Sequence, residues 1–301
     1  LSSIQLLDSS SSSVVLLPHF NPHILGYMAD VANGVTDCYA SASAAHAHAT
    51  VVVTSGDRTH DASSAIALQE GGTTEVQILV TAQDGSTQRA YTVEVERAPS
   101  TVSSLSSLEL ATSDGDPIHP GLSPSFASGE TSYSTTVINS VTAVIATATT
   151  THEAASYVVD SSELVEGGTS SITVTCTAQD GSSSTSYVVS VARAPSTVAT
   201  LSALGLAYTN ADTGATMSVS LSPTFSSDIL TYSVNVENTV ASLHVLTSPS
   251  HDQAESTVDP GPLVILVEGG QTLIQVLVRA QDGTTTETYT VTVARAPSTV
   301  T

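Results

Sequence analysis

The stretch YVVSVARAPSTV, residues 187–198, decides the fold of this chain, and close variants of it occur at residues 91–102 and 289–300. In each copy a Tyr and two Val residues lie two positions apart, which predicts a β-strand with one buried face. The identical RAPSTV that follows contains a proline, which fixes φ and stiffens the connection. Because the copies are about 100 residues apart, they indicate tandem domains, each ending in such a strand.

A second alternating strand precedes each of these stretches. The two strands are separated by Ala-Gln-Asp-Gly at residues 82–85, 178–181 and 280–283, and Asp-Gly between alternating segments predicts a β-hairpin. No long segment has the apolar spacing of a helix. The pattern predicts an all-β chain of three tandem immunoglobulin-like antiparallel β-sandwich domains of about seven strands each. We place them at residues 1–98, with a divergent first half, 99–194 and 195–296, with residues 297–301 starting a linker to a further repeat.

The charge excludes some partners. The chain has 28 acidic residues against six Lys and Arg, a net charge of −22. Nucleic acids and anionic membranes require basic surfaces, so neither is an expected partner. No apolar run is long enough to cross a bilayer, so we expect no direct membrane insertion of this segment. The 40% of hydrophobic residues, many of them β-branched, nevertheless predict a folded chain.

Aromatic residues recur at fixed places in the repeats. Every Phe falls at one repeat position, and six of the nine Tyr residues fall at two others. Rings that recur once per domain predict core anchors. A sugar-binding platform would need exposed rings, for which only the irregular residues Tyr39, Tyr157 and Tyr208 are free.

The landmarks together resemble the cadherin-like β-sandwich repeat. Each repeat opens on Leu-Ser-x-Leu or a close variant, reaches Glu-Gly-Gly at Glu70, Glu166 or Glu268, and ends on Tyr-x-Val-x-Val-x-Arg. This resemblance covers nearly the whole chain and implies cadherin-like domains. Such repeats occur in bacterial surface proteins and algal extracellular fibres. The identical linkers and the Ser/Thr-rich, lysine-free surface are more similar to the algal mastigoneme type.

The candidate chemical sites are weak. Each repeat has a His followed by an acidic residue, at His60-Asp61, His152-Glu153 and His251-Asp252. Two such side chains are too few ligands for a zinc site, so a structural turn is favoured. The pair His46 and His48 lacks partner ligands, and Asp114 with Asp116 supplies too few oxygens for calcium. Cys38 and Cys176 are expected to be buried thiols. We therefore predict no catalytic residues, no metal and no cofactor, and no enzyme activity.

Two sets of residues are candidates for interaction or modification. The strand-terminal arginines can bond carboxylates or carbonyls of the next domain, and the prolines stiffen the junctions. The candidate interdomain residues are Arg97, Arg193, Arg295, Pro99, Pro195 and Pro297. The family resemblance implies proline hydroxylation and O-glycosylation at Ser-Pro dipeptides. These are Ser123-Pro124, Ser222-Pro223 and Ser248-Pro249.

The expected function is structural. We expect a segment of an extracellular or cell-surface filament that carries O-linked glycans and associates with itself or with other fibre subunits. The alternative is a cell-surface adhesin or an array of carbohydrate-binding modules.

Overall fold

A computed structural model of the chain describes residues 1–299, and within that range all regular structure is β-strand. The predicted all-β class is confirmed. Domain 1 contains β1 Ser3–Asp8, β2 Ser13–Val14, β3 Gly26–Val31, β4 Asp37–Ser43, β5 Thr50–Ser55, β6 Arg58–His60, β7 Ile66–Ala67, β8 Thr73–Thr81 and β9 Gln88–Arg97. Domain 2 contains β10 Leu105–Thr112, β11 Ser132–Val137, β12 Val144–Thr150, β13 Ser156–Ser161, β14 Thr169–Thr177 and β15 Ser184–Arg193. Domain 3 contains β16 Leu201–Thr209, β17 Thr216–Val219, β18 Thr231–Val236, β19 Ser242–Pro249, β20 Glu255–Asp259, β21 Leu263–Ile265, β22 Gln271–Arg279 and β23 Thr286–Arg295.

Each domain is a sandwich of two sheets. In domain 3 the sheets have the orders β17-β16-β19-β21 and β18-β23-β22-β20. Domain 1 has the orders β2-β1-β4-β7 and β3-β9-β8-β5-β6, and domain 2 has β10-β12 and β11-β15-β14-β13. The number of strands differs from the predicted seven because short edge strands are present in some domains only. In domain 2, for instance, the counterpart of β17 is a single bridge between Ala111 and Pro117.

The last two strands of every domain form the predicted hairpin. Strand β14 pairs antiparallel with β15, as β8 does with β9 and β22 with β23. Tyr187, Val189 and Val191 of β15 are fully buried, which confirms the face predicted from their spacing. Each domain has a separate hydrophobic core around this face. Burial of such alternating faces is the main contribution to the stability of a sheet protein.

The aromatic residues are core anchors, as predicted. Phe126 packs against Tyr133 and Tyr187, with ring centroids 6.0 and 6.2 Å apart. The Tyr187 hydroxyl donates to the Ser128 carbonyl and accepts from the Leu105 amide, so the ring is buried with its polar atom satisfied. Equivalent Phe–Tyr contacts occur in domains 1 and 3.

One strand pair in each domain is parallel, unlike the antiparallel arrangement that the hairpin signals indicated. Strand β11 runs parallel to β15, as β3 does to β9 and β18 to β23. A parallel pair is joined by a long connection rather than by a tight turn. It therefore leaves no local turn signal in the sequence. The pairing matters for function because it brings the ends of two distant strands together at one end of each sandwich.

The two thiols lie in different cores. Cys38 and Cys176 are free and fully buried in domains 1 and 2, as expected. Burial raises the pKa of the Cys38 thiol to about 11, so this side chain behaves as a small apolar group.

Candidate functional site

The candidate site is the contact between successive domains, which occurs twice and begins at the end of the last strand. At the second junction Arg193 is the last residue of β15. Its Nε donates to the Asn139 carbonyl at 2.8 Å, and its Nη1 donates to the Leu164 carbonyl at 3.2 Å. Both acceptors belong to domain 2. The guanidinium thus ties the end of β15 to two loops of its own domain.

A carboxylate lies beside this arginine. Asn139 Nδ2 donates to Glu166 Oε1 at 2.6 Å and to the Ala194 carbonyl at 3.1 Å. Arg193 Nη2 is 3.9 Å from the same carboxylate oxygen. These contacts bind Glu166 Oε1 to groups of domain 2. The second carboxylate oxygen, Oε2, faces domain 3.

The other carboxylate oxygen bonds to a histidine of the next domain. His251 Nε2 is 2.9 Å from Glu166 Oε2, and both side chains are mostly buried at the contact. His251 Nδ1 accepts a hydrogen bond from the Gln253 amide. This acceptor role places the proton of the neutral ring on Nε2, so the imidazole can donate to the carboxylate without being charged.

A glutamine of domain 3 binds the connector itself. Gln281 Oε1 accepts from the Ser196 amide at 2.8 Å, and Gln281 Nε2 donates to the Glu166 carbonyl at 3.3 Å. The Asp282 amide donates to the Ser196 carbonyl at 3.1 Å. Ser196 is only 2% exposed. Both backbone groups of Ser196, the N–H and the C=O, are therefore hydrogen-bonded by one hairpin turn of the following domain.

The first junction repeats these contacts almost bond for bond. There, Glu70 is held by Asn33 at 2.6 Å and faces His152 Nε2 at 3.1 Å. Gln179 Oε1 accepts from the Ser100 amide at 2.8 Å. Further equivalent contacts include Arg97 Nε to the Asn33 carbonyl, Arg97 Nη1 to the Leu68 carbonyl and the Asp180 amide to the Ser100 carbonyl. Two junctions with the same geometry indicate a defined interdomain arrangement rather than a loose tether.

The turn that supplies the glutamine is stabilised by its own aspartate. Asp282 Oδ1 accepts from the Thr284 and Thr285 amides, and Oδ2 accepts from both hydroxyl groups. The Thr285 hydroxyl, followed by the two amides, lowers the pKa of this carboxyl well below its usual range. A charged, fully bonded aspartate fixes the position of the neighbouring Gln281.

The two contact surfaces of a domain lie at opposite ends of the same strand. In domain 2 the hairpin turn ahead of β15 contacts domain 1, and Arg193 at the far end of β15 organises the contact with domain 3. A strand of 10 residues spans about 33 Å. Domain 2 thus contacts domain 1 at one end and domain 3 at the other, and the two junctions have the same direction along the chain.

The first glycine of the Glu-Gly-Gly turn has two roles at each of the two junctions. Gly167 has a φ of +65°, and a Cβ there would come within 2.8 Å of Gln281 Nε2 across the junction. Gly71 has the same relation to Gln179, at 2.6 Å. The turn therefore needs glycine for its left-handed backbone, and a side chain at this position would also displace the glutamine amide of the next domain.

Gly167→Ala should open the second junction. The backbone cost of a left-handed Ala is about 1–2 kcal/mol, and the added methyl group also displaces Gln281. We expect faster hydrogen exchange at the Ser196 and Asp282 amides, which NMR can follow. Gly181→Ala is the matched control, because Gly181 has a φ of +69° in open space. Equal exchange at these amides in both variants would contradict the role of close approach.

Acid should weaken the junctions through the bridging carboxylates. Hydrogen bonding by Asn139 and His251, with a smaller charge effect from Arg193, lowers the pKa of Glu166 below its ordinary 4.5. Because the folded pKa is the lower one, the stabilisation is complete above the ordinary value and is lost as the pH falls through the folded value. We expect the relative orientation of domains 2 and 3, measured by residual dipolar couplings, to be constant from pH 7 to 5 and to become averaged as the pH falls below 4.5 and through the folded pKa of Glu166. Glu166→Gln should show this averaging already at pH 7; an unchanged orientation in both cases would contradict the mechanism.

The arginines and prolines lie at the junctions, but the arginines act differently from the prediction. We expected Arg97, Arg193 and Arg295 to bond the next domain, whereas their hydrogen bonds among the described residues go to carbonyls of their own domains. The reason is that the parallel strand ends beside them and leaves carbonyl groups that the guanidinium satisfies. Pro195 and Pro297 lie against the glycines of the preceding Glu-Gly-Gly turns, and Pro99 lies in the first connector.

The histidine alignment was wrong for the first repeat. His60 lies on β6 and pairs with Val53, away from the junction. The counterpart of His152 and His251 is His46, whose Nδ1 accepts from the His48 amide and whose carbonyl accepts from the Ala49 amide. Domain 1 is longer between these histidines and the Glu-Gly-Gly turn, and the sequence match therefore fell on the wrong turn.

The candidate glycosylation dipeptides are placed as follows. Ser123-Pro124 and Ser222-Pro223 are exposed and lie at bridges to β11 and β18. Ser248 is also exposed, but it lies within strand β19 and pairs with Ala203, so it is not the turn that was expected.

The other candidate residues are not brought together. Asp114 and Asp116 lie on an exposed turn of domain 2, and Tyr39, Tyr157 and Tyr208 lie in three different domains. Within residues 1–299, His, Cys, Asp and Glu side chains form no group of three or more that could hold a metal ion. The same residues contain no helix that is long and apolar enough to cross a bilayer. Val300, which ends the third RAPSTV copy, and Thr301 lie outside the described residues.

Sequence reasoning missed the asparagines and glutamines of the junctions. Asn139 follows the end of β11 by two residues, and the same spacing places Asn33 after β3 and Asn238 after β18. This recurrence was a usable signal, but the segments around it are short and dissimilar. The glutamine was visible inside Ala-Gln-Asp-Gly, where the turn alone accounted for the motif.

Comparisons with solved structures include the following three similarities. The chain is 8% identical to a titin fragment of domains I67–I69, covering 98% of this chain and 99% of that one with a TM-score of 0.27. It is 8% identical to Drosophila N-cadherin EC1-3, covering 92% and 99% with a TM-score of 0.31. It is 11% identical to the human desmocollin-1 ectodomain, covering 95% and 62% with a TM-score of 0.25. No curated protein matches the chain.

The family is shown by a direct match to the sequence. The model of the cadherin-like beta sandwich domain matches residues 2–98, 105–194 and 201–296. These three matches include the Glu-Gly-Gly turns, the histidines and the glutamines of both junctions, whereas the connector residues Ser100 and Ser196 lie between the matches. The chain therefore belongs to the family of cadherin-like beta sandwich domains.

Proposed function

We propose that this chain is a structural segment of an extracellular filament or surface fibre of the mastigoneme type. The observation that carries the proposal is the repetition of one set of junction contacts at Glu70–His152 and Glu166–His251. A protein whose domains serve only as independent modules needs no such repeated contact. A load-bearing or spacing element does, because its length and direction depend on fixed angles between domains.

The surface supports an extracellular location and O-linked glycans. It is rich in Ser and Thr, lacks lysine and exposes the Ser-Pro dipeptides at Ser123 and Ser222. The net charge of −22 keeps separate chains soluble and resists non-specific association. Assembly must then depend on specific contacts between domains or with other fibre subunits.

Electron microscopy of the native material tests the proposal. We expect filaments whose axial repeat equals a whole number of domains, and glycopeptide mass spectrometry should find glycans at the exposed Ser-Pro contexts. Native protein that remained monodisperse at high concentration, with no filament in the micrographs, would overturn the structural function.

A binding function is the second candidate, and one cavity favours it. Domain 2 has an open cavity of about 690 Å³ beside β10, lined by Leu108, Glu109, Ile118 and Phe126 among others. It lies at the edge of β10, where domain 2 has a single bridge between Ala111 and Pro117 in place of a strand. Such a cleft could display a recognition site for an adhesin or a carbohydrate-binding module. A glycan array without hits for the wild-type chain, or with hits that survive Phe126→Ala, would count against this function.

A further inference from the structure

The asparagine of the first junction is followed by a glycine, unlike its counterparts in the other two domains. The sequence reads Asn33-Gly34 after β3, Asn139-Ser140 after β11 and Asn238-Thr239 after β18. Asparagine deamidates faster before glycine than before serine or threonine, because glycine has no side chain to hinder attack on the asparagine amide. The two junctions therefore share their contacts but differ in chemical stability.

The backbone at this place leaves the attacking nitrogen accessible. Asn33 and Gly34 are the central residues of a turn in which the Val35 amide donates to the Ala32 carbonyl at 3.0 Å. Gly34 is exposed, and within residues 1–299 its amide donates no hydrogen bond. A Cβ on Gly34 would meet no atom within 4 Å beyond its chain neighbours. Solvent can therefore reach and deprotonate the Gly34 amide.

We propose that Asn33 is a site of spontaneous deamidation and that its conversion loosens the first junction while the second stays intact. The deprotonated Gly34 nitrogen attacks Asn33 Cγ and forms a C–N bond. The Cγ–Nδ2 bond breaks, and Nδ2 leaves as ammonia with the proton lost by Gly34. Water then opens the succinimide ring at one of its two carbonyl groups and gives aspartate or isoaspartate. The inference concerns the junction itself and holds whether or not the chain is part of a fibre.

The reaction removes the atom that positions Glu70. Asn33 Nδ2 donates to Glu70 Oε1 at 2.6 Å and to the Ala98 carbonyl at 3.1 Å. A carboxylate at the same place has no hydrogen to donate, and its charge faces that of Glu70 at hydrogen-bond distance. Glu70 must then turn away or bind a proton. In both cases it is no longer held as the charged partner of His152 Nε2, which lies 3.1 Å from its Oε2.

The isoaspartate product disturbs a further contact. It adds one carbon to the backbone of the turn, whose Asn33 carbonyl accepts from Arg97 Nε at 2.8 Å. Asn139 makes the equivalent contacts at the second junction, but Ser140 follows it and slows ring closure. The chain should therefore lose the geometry of one junction with age and keep that of the other.

Incubation of the folded chain at mildly alkaline pH tests the reaction. Deamidation replaces an NH₂ group with OH, so mass spectrometry of peptides measures the converted fraction at each asparagine. We expect Asn33 to convert several-fold faster than Asn139. Conversion of Asn33 no faster than that of Asn139 would show that the fold protects Asn33, and it would overturn the proposal.

Two exchanged residues provide matched controls. Gly34→Ser gives the first junction the Asn-Ser sequence of the second, and the open space around Gly34 accommodates the side chain. It should lower the conversion of Asn33 to the level of Asn139. Ser140→Gly should raise the conversion of Asn139 several-fold. Rates that change in neither variant would contradict the role of the following residue.

The variant Asn33→Asp tests the effect on the junction without incubation. We expect several-fold faster hydrogen exchange at the Ser100 and Asp180 amides, which bond across the first junction. The equivalent amides of the second junction should be unchanged. Asn235→Asp adds the same charge at an exposed position of β18 and should leave both junctions unchanged. Equal exchange in the two variants would overturn the proposed effect.

The aged wild-type chain gives a second measurement that does not depend on the folding of a variant. Anion exchange separates it from unreacted protein by its added negative charge. Slow exchange at the amides of β8 should show that domain 1 remains folded, while the Ser100 and Asp180 amides exchange faster. A first junction unchanged in the aged chain would overturn the proposal.

Discussion

Replacing Tyr187 with alanine should destabilise domain 2 by about 3–5 kcal/mol, the usual cost of truncating a large buried aromatic residue. The ring is fully buried against Phe126, and its hydroxyl joins the Ser128 carbonyl to the Leu105 amide at the start of the domain. Calorimetry should therefore show a separate, earlier transition. Hydrogen exchange should place that transition in residues of domain 2.

Two further variants check the cause of this loss. Tyr187→Phe keeps the ring and should cost only about 1–2 kcal/mol, because it removes hydrogen bonds alone. Tyr157→Ala, on the exposed edge strand β13, should change stability by less than about 0.5 kcal/mol. A Tyr157 variant as unstable as the Tyr187 variant would contradict the assignment of Tyr187 as the anchor of the core.

Arg193→Ala should cost about 2–3 kcal/mol and should loosen the contact between domains 2 and 3. Two carbonyl groups lose a charged donor in a largely buried place, where the arginine is 14% exposed. Glu166 also loses a neighbouring charge, so its contact with His251 is held less firmly. Unfolding by urea measures the first effect, and small-angle scattering measures the second as a broader range of interdomain distances.

A conservative change at the same position should not restore the wild type. Arg193→Lys keeps the charge but cannot place two N–H groups on the Asn139 and Leu164 carbonyls together, so most of the loss should remain. Arg279→Lys, at an exposed position of β22, is the control and should be nearly neutral. Full recovery by lysine would show that charge, rather than directed hydrogen bonding, is what the junction needs.

Features that depend on residues close together in the sequence could be predicted, whereas features that depend on residues far apart in the sequence could not. The alternation of Tyr187, Val189 and Val191 is local, so it fixed the strand, its buried face and, with the Asp-Gly turn, its hairpin partner. The parallel pairing of β11 with β15 joins segments about 50 residues apart and has no local signal.

The junctions show the same limit more sharply. Arg193 was correctly predicted at the end of a strand. The carbonyl of Asn139 that accepts its hydrogen bond follows β11, and the sequence does not show that β11 ends beside Arg193. His46 was passed over for His60 because equivalence between turns depends on the contacts around them rather than on the letters His-Asp. Gln281 was part of a recognised turn motif, and only the position of the neighbouring domain shows what its amide binds.

The repeated junction also bears on how such a chain can change over generations. Each domain carries one half of the contact at its leading end and the other half at its trailing end, and the halves are chemically alike throughout the chain. A domain can therefore be duplicated, deleted or exchanged for its neighbour without any compensating change in the flanking domains. Length becomes a property that whole-domain duplication can alter in single steps, while the interiors of the domains remain free to diverge.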